Sequence, residues 1–128
     1  MEIIVGMKGT AQTLVEREDT ALEVGSGSLL VYATPCMVAL MEGAACDAIA
    51  EALDESKTSV GTQLIISHLS ATPVGLEVSA EAEVTSVEGN TITFKVTAHD
   101  EKGLIGEGTH TRVVISSQRF LEKTYAKL

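Results

Sequence analysis

The stretch that most constrains the fold is residues 34–53, TPCMVALMEGAACDAIAEAL. Val38, Met41, Ala45, Ile49 and Leu53 recur there at helical spacing. Glu42 is the only charge between Pro35 and Cys46. A helix this apolar on nearly every side has no wet face, so it must be central and wrapped by other structure. Thr34-Pro35 marks its start. Threonine is a good N-cap, and proline suits the first helical position, where its missing N–H would have been unpaired anyway. The helix is expected from Cys36 to about Leu53, with a polar exit over residues 54–58.

Strand-like segments supply the wrapping. Residues 60–71 place Leu64, Ile66 and His68 on one face, and Ile65, Ser67 and Leu69 on the other. Residues 74–87 alternate Leu76, Val78, Ala80, Ala82 and Val84 with Glu77, Ser79, Glu81, Glu83 and Thr85, which predicts one buried and one wet face. Glu88-Gly89-Asn90 is a hairpin turn, and Ile92, Phe94, Val96 and Ala98 point inward from the next strand, residues 91–99. Residues 104–115 form the last strand, where Gly106 and Gly108 mark a bulge or a close backbone approach. Ahead of the helix lie a first strand at residues 10–15, an acidic stretch at 16–19, a Gly/Ser loop at 25–28 and an extended run at 29–32. The loop is either a plain connector or a lid over a ligand site.

Helix and strands are not interleaved, so the class is α+β. One long central helix wrapped by a curved antiparallel β-sheet is the hotdog fold. The 128 residues make one domain, with residues 116–128 as a polar C-terminal tail.

Charge narrows the partners. Eighteen acids stand against nine bases, a formal net charge of -9. A nucleic-acid binder needs a basic footprint to displace counterions, and none is present. Any phosphate site must therefore be local, built from one or two cations and backbone N–H groups. No run reaches the ~18 apolar residues of a membrane span. The N-terminus carries no basic segment followed by a long apolar one, so no signal peptide is expected. Cys36 and Cys46 share the helix about 15 Å apart, beyond the ~7 Å limit for a disulfide. Both are read as small packing residues, and two free thiols suit a reducing cytoplasm. There is no metal-ligand spacing such as HxxxH or CxxC.

The chemistry centres on few residues. An ionised carboxylate such as Glu42 is costly in an apolar setting unless donors satisfy it, and either outcome suits a base or nucleophile in ester chemistry. A glutamate reaching water at a helix edge is the plainer alternative. His68 continues the apolar face of Leu64 and Ile66, which fits a core or interface histidine as well as a catalytic one. Thr34 is explained by capping, but a helix N-terminus also offers donors to a developing oxyanion. His99, beside Asp100, reads as surface. His110 shares a face with Gly108 and Arg112 and is a weaker candidate.

Taken together, VYATPCMVALMEGAAC and VGTQLIISHLSATPVG resemble the fluoroacetyl-CoA thioesterase family. The resemblance spans residues 7–118, with Glu42 eight positions after Thr34 and His68 another 26 beyond. It implies a Thr34/Glu42/His68 catalytic set, an acyl-CoA substrate and a homodimer with sites at the subunit interface. Gly61 and Arg112 match positions that contact substrate in that family. It implies no cofactor, because coenzyme A is part of the substrate, and no metal. Fluoroacetyl selectivity does not carry over, because residues 25–30 contain no aromatic gate. On this reading the chain hydrolyses a short or medium acyl-CoA in the cytoplasm. Thr34 and helix N–H groups steady the oxyanion, Glu42 attacks or activates water, and His68 orients the carboxylate or protonates the leaving thiolate. The competing readings are a non-catalytic acyl-CoA-binding module and a hotdog hydratase or dehydratase. The latter wants an Asp–His pair, and no Asp stands near His68 in sequence.

Overall fold

A computed structural model describes residues 2–128. Five strands form one antiparallel sheet: β1 (Lys8–Leu14), β2 (Lys57–His68), β3 (Glu77–Glu88), β4 (Thr91–Asp100) and β5 (Gly103–Ser116). Their order is β1-β3-β4-β5-β2, which leaves β1 and β2 as edges. The helices are α1 (Ala21–Val24), α2 (Thr34–Ile49) and α3 (Ser117–Tyr125). Helix α2 lies on the inner face of the sheet, the arrangement expected from its apolar sequence.

The alternation in β3 and β4 does what a period of two requires. Val78, Ala80, Ala82 and Val84 are buried from β3, and Ile92, Phe94, Val96 and Ala98 from β4. They pack on Met37, Met41, Ala44, Ala45 and Ile49 of α2. Each large aliphatic chain so buried contributes about 1.5–3 kcal/mol of transfer free energy. Two glycines seat the helix. A Cβ at Gly9 of β1 would run into the α2 backbone at Ala44 and Ala48, and a Cβ at Gly106 of β5 would lie 2.6 Å from Met37 Sδ. The Thr10 N–H donates to Asp47 Oδ2 at 2.9 Å and ties the far end of α2 to β1.

The wrapping is one-sided. Pro35, Ala39, Gly43, Cys46 and Asp47 remain exposed on the outer face of α2. Cys46 is therefore not a packing residue, whereas Cys36 is half-buried, and both thiols are free. Other boundaries also differ from the sequence expectation. Helix α2 includes Thr34 and ends at Ile49, with a 3-10 turn over Ala50–Ala52. The extended run before it reduces to two bridges, Val31 with Pro73 and Tyr32 with Thr20. The polar tail at residues 116–128 contains a helix. Ser117–Tyr125 form α3, which buries none of its residues. The bulge expected near Gly106 is real: Ala98 pairs with Gly106 and His99 with Leu104, so Ile105 is the extra residue. Among the described residues no helix is long and apolar enough to cross a membrane.

Candidate active site

Two groups of polar side chains lie along α2 and β2. The first is at the start of the helix. Thr34 Oγ1 stands 2.7 Å from His68 Nδ1. The N-cap of α2 is Ala33, and no side chain caps it. The expected capping role of Thr34 thus gives way to a bond with the last residue of β2. Burial pushes the His68 pKa below its ordinary value of 6.5. Its Nε2 is buried and has no hydrogen-bond partner among the described residues. Thr34 and His68 face a cleft of about 290 Å³ that also touches Tyr32, Leu69, Ala21 and Ser26. Ala21 comes from the short helix α1 and Ser26 from the Gly/Ser loop. Gly25 caps α1 in the left-handed region at φ 86°, where glycine has no Cβ to clash.

The second group gathers on Glu42, two helical turns further along, or about 12 Å of rise. Arg112 Nη1 donates to Glu42 Oε2 at 3.1 Å. The same nitrogen lies 3.1 Å from His110 Nε2. A guanidinium only donates, so Nε2 must accept and His110 is neutral, with its proton on Nδ1. That proton goes to the Gln63 carbonyl at 2.9 Å. Burial, and less strongly the Arg112 charge, push the His110 pKa below 6.5, with Gln63 and Glu42 opposing. The 3.8 Å approach of His110 Nε2 to Glu42 is therefore not an ion pair. Phe94 stacks on the His110 ring with centroids 6.0 Å apart.

Arg112 is anchored on its other side by Ser59. Its Nε donates to Ser59 Oγ at 2.8 Å and its Nη2 to the Ser59 carbonyl at 3.0 Å. Gly61 pairs with Arg112 across β2 and β5, and Thr62 is the extra residue of a bulge that follows. A Cβ on Gly61 would lie 2.5 Å from Glu42 Oε2 and 3.1 Å from His110 Cε1. The carboxylate thus rests against bare backbone.

All five residues singled out in sequence lie in these two groups. Thr34 joins His68, and Glu42 joins Gly61 and Arg112, with no hydrogen bond between the groups in one chain. Within one chain Glu42 is oriented by Arg112 rather than by His68. Ser59 and Gln63 carry no signal in the sequence, and His110 carries a weak one. Its signal was the alternation that puts Gly108, His110 and Arg112 on one face of β5.

A five-stranded antiparallel sheet on one buried helix, with a Thr–His pair at the helix start, defines a hotdog protein with a site suited to acyl chemistry. A family model described as fluoroacetyl-CoA-specific thioesterase matches residues 15–118, and the chain belongs to that family. It is 44% identical over 97 residues to a fluoroacetyl-CoA thioesterase of Streptantibioticus cattleyicolor, covering 76% of this chain and 70% of that protein. A solved fluoroacetyl-CoA thioesterase superposes with a TM-score of 0.93 at 36% identity, over 100% of this chain and 99% of the other. A thioesterase superfamily member from Thermus thermophilus superposes with a TM-score of 0.89 at 30% identity, over 98% and 93%.

Proposed function

We propose that this chain is an acyl-CoA thioesterase, hydrolysing a short or medium acyl-CoA to the free acid and CoA at a site completed by a second copy. The observation that carries the reading is the 2.7 Å contact between Thr34 Oγ1 and His68 Nδ1, at the positive end of α2 and facing a cleft. A related thioesterase has been solved with fluoroacetate and CoA together, at 37% identity and a TM-score of 0.87, over 92% of this chain and 99% of that one. That relative supports a CoA ester as substrate. The absence of an aromatic residue from residues 25–30, beside the cleft, supports an acyl group other than fluoroacetyl alone.

The division of the site supports a dimer. Thr34 and Glu42 mark opposite ends of one stretch of α2. His68 and Gly61 do the same on β2, an edge strand whose Ile65 is 62% exposed, with Leu69 just past its end 56% exposed. An unpaired edge twelve residues long is a ready template for another strand. Antiparallel pairing of two β2 edges about a two-fold axis sets the end of one strand beside the beginning of the other. Thr34 and His68 of one protomer then face Glu42, Gly61 and Arg112 of its partner. The exposed small residues of α2 are covered by the same union. The orphaned His68 Nε2 supports it too, since an unpaired buried nitrogen costs about 1–3 kcal/mol until something meets it.

In the assembled site the thioester carbonyl sits at the start of α2. The Thr34 hydroxyl and the helix dipole hold the oxyanion. Glu42, fixed by Arg112, either takes a proton from a water that attacks the carbonyl carbon, or attacks that carbon itself to form a mixed anhydride that water then hydrolyses to the free acid and the restored carboxylate. The carbon–sulfur bond breaks, its electron pair leaves on sulfur, and the thiolate takes up a proton. No cofactor or metal is needed, because CoA is part of the substrate and a good leaving group. The two free thiols support a reducing cytoplasmic setting. The test is CoA-thiol release from acyl esters of increasing length, by wild type and Glu42→Ala. Turnover that falls by about 100-fold or more in the variant is expected. CoA esters that bind without any release of thiol would replace the enzyme with a binding module.

A further inference from the structure

The acyl end of the proposed substrate is accounted for above, but its nucleotide is not. On a chain of net charge -9, a polyanion needs a local patch of cations. Nine bases are available. Three of them, Lys57, Arg119 and Lys123, line one cleft of about 310 Å³ beside α3. None of the three has an ion-pair partner within 4 Å among the described residues, whereas Arg17 and Arg112 do. Phe120 and Asn90 line the same cleft. Phe120 is 40% exposed on an open helix and is one of only four aromatic residues in the chain. Unpaired cations beside an exposed ring and a side-chain amide are what a phosphorylated nucleoside requires: charge for the phosphates, a face for the base, and a donor–acceptor pair for its edge.

The cleft connects to the Glu42 group through shared residues. Ser59, which holds Arg112, also lines a second groove of about 310 Å³ between β2 and the end of α2. Lys57 lines both grooves. From Gly61 to Lys57 the strand spans about 13 Å, within the reach of an extended pantetheine arm. The carboxylates of the path, Asp54 and Glu55, fall in this middle groove, where the arm carries neutral amides. The Asp54 carboxyl is already occupied by the Ser56 N–H and hydroxyl. Lys57 leads from this groove to Arg119 and Lys123, which lie at the far end. Arg119 and Lys123 also lie beyond residue 118, where the family match ends.

We propose that Lys57, Arg119, Phe120 and Lys123 form the docking site for the 3′-phosphorylated adenosine diphosphate of CoA. This rests on the thioesterase reading for its ligand. The test compares wild type with the Arg119→Ala/Lys123→Ala double variant, checked for native circular dichroism. Acetyl-CoA and acetyl-pantetheine serve as substrates, and CoA, dephospho-CoA and pantetheine as calorimetric ligands. Losing charge-assisted contacts is expected to raise KM for acetyl-CoA by about tenfold or more and weaken CoA binding in parallel. kcat, and all constants for acetyl-pantetheine, stay at wild-type values. Dephospho-CoA, lacking the 3′-phosphate, is expected to lose less between the two proteins than CoA does. Adenosine 3′,5′-bisphosphate is expected to compete with CoA on wild type only. The proposal is overturned by unchanged CoA binding in the variant, by equal losses for CoA and pantetheine, or by a wild type that does not bind CoA. If neither ester is hydrolysed by wild type while CoA binding still depends on Arg119 and Lys123, the docking site stands and the enzyme reading fails.

Discussion

Glu42 and Arg112 are 70 residues apart in the chain, and their side chains meet at 3.1 Å. Helix α2 brings one and strand β5 the other. Arg112 reaches the carboxylate from a frame already fixed by Ser59 Oγ, the Ser59 carbonyl and His110 Nε2. A planar fork with five donors can satisfy such a set, and a lysine could not. The position of the carboxylate is therefore set by the sheet as much as by its own helix.

Gly61 completes that frame by leaving room. Its alanine variant would put a methyl carbon 2.5 Å from Glu42 Oε2, so the carboxylate must move. Displacement of a reacting group by about 1 Å costs on the order of 100-fold in kcat/KM. Gly61→Ala is expected to show that loss, while urea unfolding changes by only about 1–2 kcal/mol, because Glu42 can swing toward solvent. Activity within threefold of wild type would mean that the seat against β2 does not matter.

Thr34 separates two roles that its sequence position confounds. Its hydroxyl meets His68 rather than capping α2. Thr34→Ala is thus expected to lower kcat by about 100-fold or more, yet to change stability by no more than ~0.5 kcal/mol. Thr34→Ser keeps the hydroxyl and is expected to recover most of the rate. A loss of ~1 kcal/mol in stability, as for a removed N-cap, with the rate intact would return Thr34 to capping alone.

These two groups mark where the sequence stops being readable. The period-two runs of β3 and β4 announce their buried faces residue by residue, and the helix announces itself by having almost no polar side. Helix α3 does not, because it buries nothing and its amphipathic face has no core to meet. The Thr34-Pro35 step fits either the cap or the first turn. Only the reach of β2 to His68 decides between them. The joining of Glu42 to Arg112 depends on the register of β2 against β5, including the extra residue at Thr62, and local pattern carries no register. His110 is only a weaker candidate in the sequence for the same reason. Its burial requires Phe94 of the neighbouring strand beneath it.

Two histidines contribute to the pH dependence. Burial lowers the pKa values of both His68 and His110. A histidine with a lowered folded pKa binds its proton more readily when unfolded. Its share of stability is therefore complete above the unfolded value, near 6.5, and is lost as pH falls toward the folded pKa. Activity is expected to follow the same direction, because burial favours the neutral ring beside Thr34. The acid limb of kcat/KM is expected to have its midpoint below pH 6.5. Urea unfolding should weaken over the same acid range in wild type, and less so in His68→Asn. A midpoint above 6.5, or a rate that rises on acidification, would contradict this assignment.

The sharpest prediction concerns which chain supplies which group. Glu42→Ala and His68→Ala homodimers are each expected to be inactive. Unfolded together and refolded as an equal mixture, half of the dimers are mixed. In each mixed dimer one site draws Thr34 and His68 from the Glu42→Ala chain and an intact Glu42 from its partner. The second site lacks both residues. Activity should therefore return to roughly one quarter of wild type, from the two-fold symmetry of an isologous dimer. If all three residues acted within one chain, every site in the mixture would lack one of them and nothing would be restored. Light scattering on the same samples reports whether the dimer forms. Ile65→Glu on the exposed β2 edge is expected to give monomers in which Thr34 and His68 face no carboxylate and thiol release is lost.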